Sequence, residues 1–406
     1  MTLGVYIQVP FCQTKCTYCN FHTGVVSRER HKPYADAICR EITDLALEGR
    51  GFDPAITSTS ESGVSARDDL RTVDTVYFGG GTPSLLDPFA LGSILDALRK
   101  RHKLAAPEIT LEADPETITP EKSAAWLSVG FNRISLGAQS FNDRELQATG
   151  RMHRRVDIYS AVKTLRTAGF ANISIDLIAG LPHQTRESWE QSLSELFELR
   201  PEHISIYMLE IDEGSNLGKE SLAGGARYSA AAIPPDDAQA EFYESACARL
   251  AAVGYDHYEI SNWALPNCRS RHNLKYWNRE PYVGLGAGAH SFDRKTRWAN
   301  VHDPAKYVAA IEQGRSPREQ IEQVTPEQAL EEEFFLGLRQ LEGIDLPRIE
   351  RTYRAAGNGT SARYAAIRNA IESLCAQGLL KLEANRLSLT PGHLTVSSSI
   401  LAELLT

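Results

Sequence analysis

Short apolar runs alternate with amphipathic helical patterns along the first half of the chain. Several runs are rich in β-branched residues, which is typical of strands. The strand candidates are VYIQV (5–9), TVYFGG (75–80), EITLEA (108–113), RISLGA (133–138), NISIDLIAG (172–180) and HISIYMLEI (203–211). The helical patterns between them include residues 30–49, 87–102, 155–169 and 185–199. Asp87 and Thr185 are predicted N-caps, and Gly49 and Gly169 are predicted C-caps.

Six strands that alternate with helices predict successive right-handed βαβ units and a parallel α/β sheet. Most of these strands are too apolar for a sheet with one face in water. An eight-stranded barrel takes about 250 residues, so six units in about 210 residues favour a partial (β/α)6 TIM-like barrel, open on one side. A doubly wound open sheet is the alternative. In both folds, functional side chains belong at the C-terminal ends of the strands.

The second half of the chain differs in character and predicts further units. We predict a barrel domain over 1–225, a barrel-capping segment over 226–300 and a C-terminal domain over 301–406. Residues 53–69 are rich in Ser and Thr with little periodicity, which predicts a flexible insertion in the barrel domain. A helical pattern at 361–378 precedes a hairpin-like stretch at 379–391, with its turn near Ala384 and Asn385. Helix and hairpin together predict a small α+β domain resembling a winged helix.

Composition and charge exclude several classes of protein. Hydrophobic residues make up 42% of the chain and charged residues 23%, as in ordinary globular proteins. No apolar run approaches the roughly 18–20 residues of a membrane span. Met1 is followed by an apolar stretch without a basic region or cleavage site, so we expect no signal peptide, no integral membrane segment and a cytoplasmic location. The net charge of −9 argues against a nucleic-acid partner, although RMHRR at 151–155 is a candidate basic patch.

Three of the seven cysteines lie within eight residues, directly after the first strand. Cys12, Cys16 and Cys19 follow the spacing C-x3-C-x2-C, so one loop offers three thiolates. The odd cysteine count argues against a disulfide framework. A structural zinc ion wants four ligands, and His22 is the available fourth. A [4Fe–4S] cluster held by three thiolates leaves one iron open to a small molecule, and we favour this cluster over zinc.

The cysteine loop CQTKCTYC resembles that of the radical S-adenosylmethionine (SAM) superfamily, in which SAM binds the open iron through its amino and carboxylate groups. The stretch YFGGGTPS at 77–84 looks like the element of that family that binds the methionine end of SAM. By motif, the resemblance implies SAM contacts at Tyr6, Tyr18, Gly80, Gly81, Thr82, Glu112, Gln139, Arg151 and Asp176. Solvated strand ends are the alternative for Glu112 and Asp176, and surface or structural roles for Gln139 and Arg151. Asp176 interrupts an apolar strand, where a carboxylate needs polar partners.

Further stretches resemble the coproporphyrinogen dehydrogenase (HemN) branch and, within it, the HemW-type haem chaperones. They are LEADPETIT (111–119), NRISLGAQSFNDRELQATGRMH (132–153), SIDLIAGLPHQT (174–185), RPEHISIYMLEI (200–211) and HNLKYW (272–277). The last matches the H-N-x-x-Y-W motif associated with HemW, and it implies haem contacts at His272, Tyr276 and Trp277. An imidazole can bind haem iron, and the two aromatic rings offer flat area to a porphyrin. A packed aromatic patch around a hydrogen-bonded histidine is the alternative, and His290 and Cys268 are further candidates.

Two functions follow from this resemblance. One is a haem chaperone that keeps the cluster and SAM and delivers haem to an acceptor protein. The other is an oxygen-independent coproporphyrinogen III dehydrogenase, whose branch has a fourth cysteine where this chain has Phe21. The phenylalanine at this position favours the chaperone. We assign no catalytic side chain to it, and whether SAM is cleaved stays open. A reductant such as a flavodoxin or ferredoxin is implied, and a radical SAM enzyme acting on tRNA is disfavoured by the acidic balance.

Overall fold

The computed structural model describes residues 2–20, 23–47, 72–354 and 357–406. The predicted insertion at 53–69, the predicted cap Gly49, and the loop residues Phe21 and His22 lie outside these ranges. In chain order, the strands are β1 (Leu3–Val9), β2 (Phe11–Cys12), β3 (Gly24–Val25), β4 (Thr72–Gly80), β5 (Lys103–Ala113), β6 (Arg133–Gln139), β7 (Ile173–Ala179), β8 (His203–Met208), β9 (Asp256–Glu259), β10 (Asn262–Ala264), β11 (Tyr282–Leu285), β12 (His290–Phe292), β13 (Thr296–Asn300), β14 (Arg318–Gln323), β15 (Ile344–Asp345), β16 (Leu380–Glu383) and β17 (Arg386–Leu389).

The α-helices include all the predicted helical patterns, together with others that were not predicted. In chain order they are α1 (His31–Leu47), α2 (Pro88–Arg101), α3 (Pro120–Val129), α4 (Asp143–Ala148), α5 (Arg155–Ala168), α6 (Arg186–Leu199), α7 (Asn216–Leu222), α8 (Asp236–Ala252), α9 (Arg271–Trp277), α10 (Pro304–Glu312), α11 (Pro326–Gly337), α12 (Leu346–Tyr353), α13 (Asn358–Ala376) and α14 (Ser397–Leu404). Asp87 accepts a hydrogen bond from the Phe89 N–H, and Thr185 accepts one from the Ser188 N–H. Gly169 ends α5 with φ 111°. These three predicted caps are confirmed.

The main sheet follows the order of the chain. Strands β1, β4, β5, β6, β7 and β8 are parallel, and each pairs with the next. In the described residues this sheet has twelve strands, because β11 to β14 extend it beyond β1, and β10 and β9 extend it beyond β8. All six predicted strands are present. A doubly wound sheet reverses its strand order at a switch point, and this sheet does not, so the partial barrel is confirmed.

The barrel strands carry apolar side chains on one face and polar side chains on the other. Ile7, Phe78 and Leu111 are fully buried in the main hydrophobic core. On the opposite face, side chains of neighbouring strands meet inside the barrel, as the hydrogen bond from the Tyr77 hydroxyl to Glu112 shows. We call this interior the lumen. Tyr77 and Glu112 are only partly buried, whereas other inner side chains, such as Thr110, Ser135 and Ser174, are buried. The parallel strands are therefore mostly buried on both faces, as predicted, although their inner side chains are polar where most barrels have apolar layers.

The C-terminal part contains a second sheet, in the order β15, β17, β16, packed with α11 to α14. The β16–β17 hairpin turns at Ala384 (φ 49°) and Asn385 (φ 70°), which confirms the predicted turn. Helix and hairpin therefore form the expected α+β unit. The proposed domain limits at 225 and 300 remain a prediction, and β13 and β14 pair with each other in the barrel sheet on either side of the second limit.

None of the helices in the described ranges combines the length and the apolar character that crossing a bilayer requires.

Candidate functional site

The cysteine loop and the glycine turn are joined by backbone hydrogen bonds. The Gly81 N–H donates to the Val9 carbonyl at 2.8 Å, and the Thr82 N–H donates to the Phe11 carbonyl at 2.7 Å. Both segments follow the C-terminal ends of parallel strands, β1 and β4, as a barrel site requires. Cys12 itself lies on β2, which pairs in parallel with β3. The loop after β1 is thus held on both sides by main-chain contacts.

Gly81 lies where no larger residue fits. A Cβ at this position would come within 2.5 Å of the Phe11 carbonyl oxygen and 2.9 Å of Cys12 Sγ. The neighbouring Gly80 has φ 113°, a conformation that L side chains rarely adopt. Two consecutive glycines therefore let the turn approach the cysteine loop at van der Waals contact with a thiol. The contact of this turn with Cys12 is suited to binding a small molecule that is itself bound to the cluster.

Burial and nearby charged groups act on the thiols of Cys12 and Cys16. Burial raises the pKa of Cys12, and the nearby Asp114 and Cys19 raise it further. Burial also raises the pKa of Cys16, although Arg151 opposes the shift by donating a hydrogen bond to Cys16 Sγ at 3.6 Å. Cys19 Sγ lies 4.0 Å from the Thr23 hydroxyl. Metal binding must displace the thiol protons, and three neighbouring soft ligands with a cation at one of them suit an iron–sulfur cluster.

Within the described ranges, no three Cys, His, Asp or Glu side chains form a ready-made set of metal ligands. His22, the predicted fourth ligand of a zinc ion, lies outside those ranges.

Asp114 connects the cluster loop to the glycine turn, and the sequence analysis missed it. It accepts a hydrogen bond from the Thr82 hydroxyl at 2.9 Å and forms an ion pair with Arg151. The same Arg151 donates to the Gly137 carbonyl at 2.8 Å and to Cys16. Arg151 is therefore an interior residue and not a surface cation. Asp114 follows Glu112 by two residues, so strand alternation places both carboxylates on the lumen side.

Glu112 lies between the glycine turn and a tyrosine that the sequence analysis also missed. The Tyr77 hydroxyl donates to one of its carboxylate oxygens at 2.8 Å, and the Gly80 N–H donates to the other at 3.0 Å. Burial, together with the nearby Asp176, raises the pKa of Glu112 to about 7. A ligand that brings a positive charge into the lumen would shift this carboxyl towards its ionised form.

The raised pKa of Glu112 predicts a pH-dependent contribution to stability. Folding favours the neutral form of the Glu112 carboxyl. Its contribution to the free energy of unfolding is therefore fully present below the ordinary pKa of 4.5 and is lost as the pH rises through about 7. We expect the free energy of unfolding to fall by about 1–2 kcal/mol more in the unaltered protein than in Glu112→Gln between pH 5 and pH 8. Urea unfolding of both proteins across this range tests the difference. Parallel pH profiles would contradict it.

Asp176 and Gln139 lie on neighbouring strands of the lumen. Asp176 accepts hydrogen bonds from the Ser135 hydroxyl at 2.9 Å and the Ser174 hydroxyl at 3.2 Å. The expected polar partners of this carboxylate are thus present, and burial raises its pKa. Gln139 ends β6 in the left-handed region, with φ 66°. A Cβ on Gly137 would lie 2.9 Å from Gln139 Nε2, so this side chain turns back towards Arg151 and Asp114.

The two predicted tyrosine contacts differ in their surroundings. The Tyr6 hydroxyl donates to Gln8 at 2.8 Å, and its ring stacks on Tyr77 with 6.1 Å between ring centroids. Tyr6 is therefore a lumen residue. Tyr18 instead packs against a small apolar cluster beside the cysteine loop that includes Leu217. The Leu217 N–H donates to the carbonyl of the adjacent Thr17, so this cluster helps to anchor the cysteine loop.

The HNLKYW motif forms helix α9 at the end of the barrel opposite the cysteine loop. The His272 N–H donates to Glu108 near the start of β5. The His272 side chain is 1% exposed, with Nδ1 2.9 Å from the Thr75 hydroxyl and Nε2 2.8 Å from the Tyr276 hydroxyl. Burial and the nearby Lys275 lower the pKa of His272 to about 3, so the ring is neutral.

The remaining haem candidates are spread over different surroundings. The guanidinium of Arg339 lies over the Trp277 ring at 4.8 Å, so this ring packs against the C-terminal part and not with His272. His290 begins β12 and is exposed, with its ring centroid 6.5 Å from that of His302. Cys268 lies in a turn in which its N–H donates to the Leu265 carbonyl. Of the motif, the structure brings His272 and Tyr276 together in the lumen and leaves Trp277 apart.

The structure argues against RMHRR, the candidate basic patch, as a continuous cationic surface. Arg151 is paired with Asp114 inside the site, and His153 is buried with Nε2 3.0 Å from a backbone carbonyl. Arg155 forms an ion pair with a carboxylate on α6. The charge of Arg151 is therefore neutralised inside the protein, and Arg155 is paired on the surface.

Comparison with known proteins gives matches over nearly all of the chain. The Radical SAM superfamily matches residues 6–196, and the HemN C-terminal domain matches residues 324–392. Heme chaperone HemW of Bacillus subtilis is 33% identical over 358 residues, with 88% of both chains covered. Heme chaperone HemW of Mycobacterium tuberculosis is 34% identical over 409 residues, covering 99% of this chain and 94% of the relative. The solved structure of coproporphyrinogen III oxidase (HemN) from Escherichia coli covers 100% of this chain and 90% of its own, with a TM-score of 0.80 and 23% identity, which shows the shared fold.

Proposed function

Because this chain belongs to the HemW family of radical SAM proteins, we propose that it is a haem chaperone that carries an iron–sulfur cluster and SAM. One observation carries the proposal. The helix formed by HNLKYW contacts the same lumen as the glycine turn, since the His272 ring lies 5.2 Å from Tyr77, which in turn binds Glu112. The proposed haem-binding element and the proposed SAM-binding element therefore share one interior.

Cys12, Cys16 and Cys19 are the proposed ligands of the cluster. A [4Fe–4S] cluster with three protein ligands would supply an open iron for the amino and carboxylate groups of SAM. The contact between Gly81 and Cys12 supports this assignment, because it brings the backbone N–H donors of the turn next to the cluster loop. Arg151, at Cys16, would offset part of the negative charge of thiolates.

The other lumen side chains are the proposed contacts of SAM. Glu112 and Asp176 provide carboxylates, Gln139 an amide, and Tyr6 an aromatic ring. Gly80 and Thr82 complete the turn, and Tyr18 holds the cysteine loop in place. Most of these groups already have protein partners at the ends of neighbouring strands, which preorganises the lumen for a polar ligand.

Haem is the proposed cargo, and a haem-free acceptor protein is the proposed partner. His272, Tyr276 and Trp277 are the proposed haem-facing residues of the motif. An electron donor such as a flavodoxin or ferredoxin would reduce the cluster if SAM is cleaved. The alternative activity, oxidative decarboxylation of coproporphyrinogen III, is favoured by the fold of HemN alone, and Phe21 at the position of a fourth cysteine argues against it.

Anaerobic assays of the reconstituted protein separate the two functions. With reductant, SAM and coproporphyrinogen III, we expect no protoporphyrinogen, and we expect a haem titration to saturate. The same samples are scored for 5′-deoxyadenosine, which reports SAM cleavage independently of either function. Sustained conversion of coproporphyrinogen III would overturn the chaperone proposal, as would the absence of saturable haem binding.

A further inference from the structure

The hydrogen bonds of the HNLKYW helix single out one side chain as the iron ligand. Resting on the proposed haem-binding function, we propose that the Tyr276 phenolate oxygen binds the ferric haem iron, and that His272 is a positioning residue that donates a hydrogen bond to that oxygen. The motif would then present a tyrosine ligand supported by a buried imidazole, in place of a histidine ligand. Three sets of contacts support this assignment.

The first is that both ring nitrogens of His272 are engaged. Nδ1 faces the Thr75 hydroxyl at 2.9 Å and Nε2 faces the Tyr276 hydroxyl at 2.8 Å. The backbone at His272 is fixed as well, because its N–H donates to Glu108 at 3.1 Å. With only 1% of the residue exposed and a hydroxyl group at each ring nitrogen, neither nitrogen is free to bind a further group. An iron could bind Nε2 only by displacing the Tyr276 hydroxyl.

The second is the orientation of Tyr276. Its ring packs edge-on against His272, with ring centroids 5.1 Å apart at 90°, and against Tyr282, at 4.7 Å and 89°. Tyr276 is partly exposed and lies within electrostatic reach of Tyr6 and Glu112, both of which are lumen residues. Two perpendicular neighbours thus fix the ring, with its hydroxyl at His272 Nε2.

The third is the chemistry of the pair. Tyrosinate is an established proximal ligand of haem iron, as in catalase, and a hydrogen bond to the ligand oxygen tunes its donor strength. In the proposed complex the Thr75 hydroxyl donates to Nδ1, so that Nε2–H donates to the phenolate. The neutral state of buried His272 suits it to this role, because it donates one hydrogen bond and adds no charge.

The proposed coordination step balances without an oxidant or a reductant. Ferric haem in water carries a hydroxide ligand. The Fe–O bond to this hydroxide and the O–H bond of Tyr276 break, the Fe–O bond to Tyr276 forms, and the phenol proton and the hydroxide leave together as water. The iron stays ferric throughout. Reduction to the ferrous state weakens an anionic ligand, so the same pair offers a route to haem release.

Ferric haem titrations of the full-length protein, reconstituted with its cluster under anaerobic conditions, test the proposal. Difference spectra against the haem-free protein separate haem bands from cluster absorption, and resonance Raman identifies the iron–phenolate vibration. We expect this vibration in the unaltered protein and its loss in Tyr276→Phe, with haem binding weakened at least about tenfold. Tyr282→Phe, which changes the neighbouring ring by the same atom, is the matched control and should retain both.

Two further variants keep the test independent of folding. Tyr276→His should fold and give the spectrum of histidine-ligated haem. His272→Asn should retain the phenolate vibration at a shifted frequency and change the haem reduction potential, which a merely structural role would leave unmoved. A Tyr276→Phe protein that binds haem with the spectrum of the unaltered protein would overturn this inference alone. An unaltered protein that binds no haem would overturn the proposed function together with it.

Discussion

Single replacement of Cys12, Cys16 or Cys19 by alanine is expected to remove the cluster from the anaerobically reconstituted protein. Three thiolates from one loop are the whole proposed ligand set, so the loss of one leaves two irons of the cubane without protein ligands. We expect the iron content to fall from about four atoms per chain to below about one. Iron and acid-labile sulfide analysis, with the visible absorption of the cluster, gives the measurement.

Cys247 and Cys375 provide matched controls, because they lie on α8 and α13, away from the loop. Both are partly buried free thiols, as the loop cysteines are. Cys247→Ala and Cys375→Ala should retain full iron and sulfide content. A cluster that persists undiminished after all three loop cysteines are replaced would refute the assignment, and the SAM and haem proposals would lose their common basis.

Gly81→Ala is expected to damage the cluster site and the fold together. The added Cβ would lie 2.5 Å from the Phe11 carbonyl oxygen, a distance that real Cβ atoms do not show, and 2.9 Å from Cys12 Sγ. Backbone cannot yield as the end of a side chain can, so the glycine turn and the cysteine loop must move apart. We expect the free energy of unfolding to fall by about 1–3 kcal/mol. Urea unfolding and the iron content of the reconstituted protein measure the two effects.

Gly24→Ala is a control on the same loop. Gly24 pairs with Phe11 in the short β2–β3 ladder, and a Cβ there would have no heavy atom within 4 Å. We expect a change within about 0.5 kcal/mol and an unaltered iron content. Equal effects of the two substitutions would indicate that the loop tolerates no alanine at either glycine. The damage could then not be attributed to the close approach of Gly81 to Cys12.

Local patterns in the sequence were sufficient to predict the barrel. Each parallel strand has a run of β-branched or apolar residues on its helix-facing side, and the predicted helices have a helical period, several of them with a capping residue. The cap at Asp87 and the turn at Ala384 and Asn385 need only near neighbours, so short-range rules describe them. The cysteine loop could be predicted in the same way, because the spacing of its three cysteines within eight residues indicates the metal site.

Short-range rules could not predict the side-chain contacts between different strands. Asp114 and Tyr77 acquire their roles from residues more than thirty positions away, Arg151 and Glu112. Arg133 is 1% exposed, and its Nε and Nη2 have no hydrogen-bond partner in the part of the chain that is described. Strand alternation accounts for the position of Tyr77 and Arg133 on the polar face, and Asp114 follows directly after the last residue of β5.

The inner and outer faces of the barrel strands are tied to the same two-residue repeat. On β5, Glu108, Thr110 and Glu112 alternate with Ile109 and Leu111, which lie in the hydrophobic core. Deletion of one residue before Glu108 would exchange the two faces of this strand. The isoleucine and leucine side chains would then point into the polar lumen, and the carboxylates would point towards the helices. A shift of one residue in this strand would therefore disturb the hydrophobic core and the proposed ligand-binding face together.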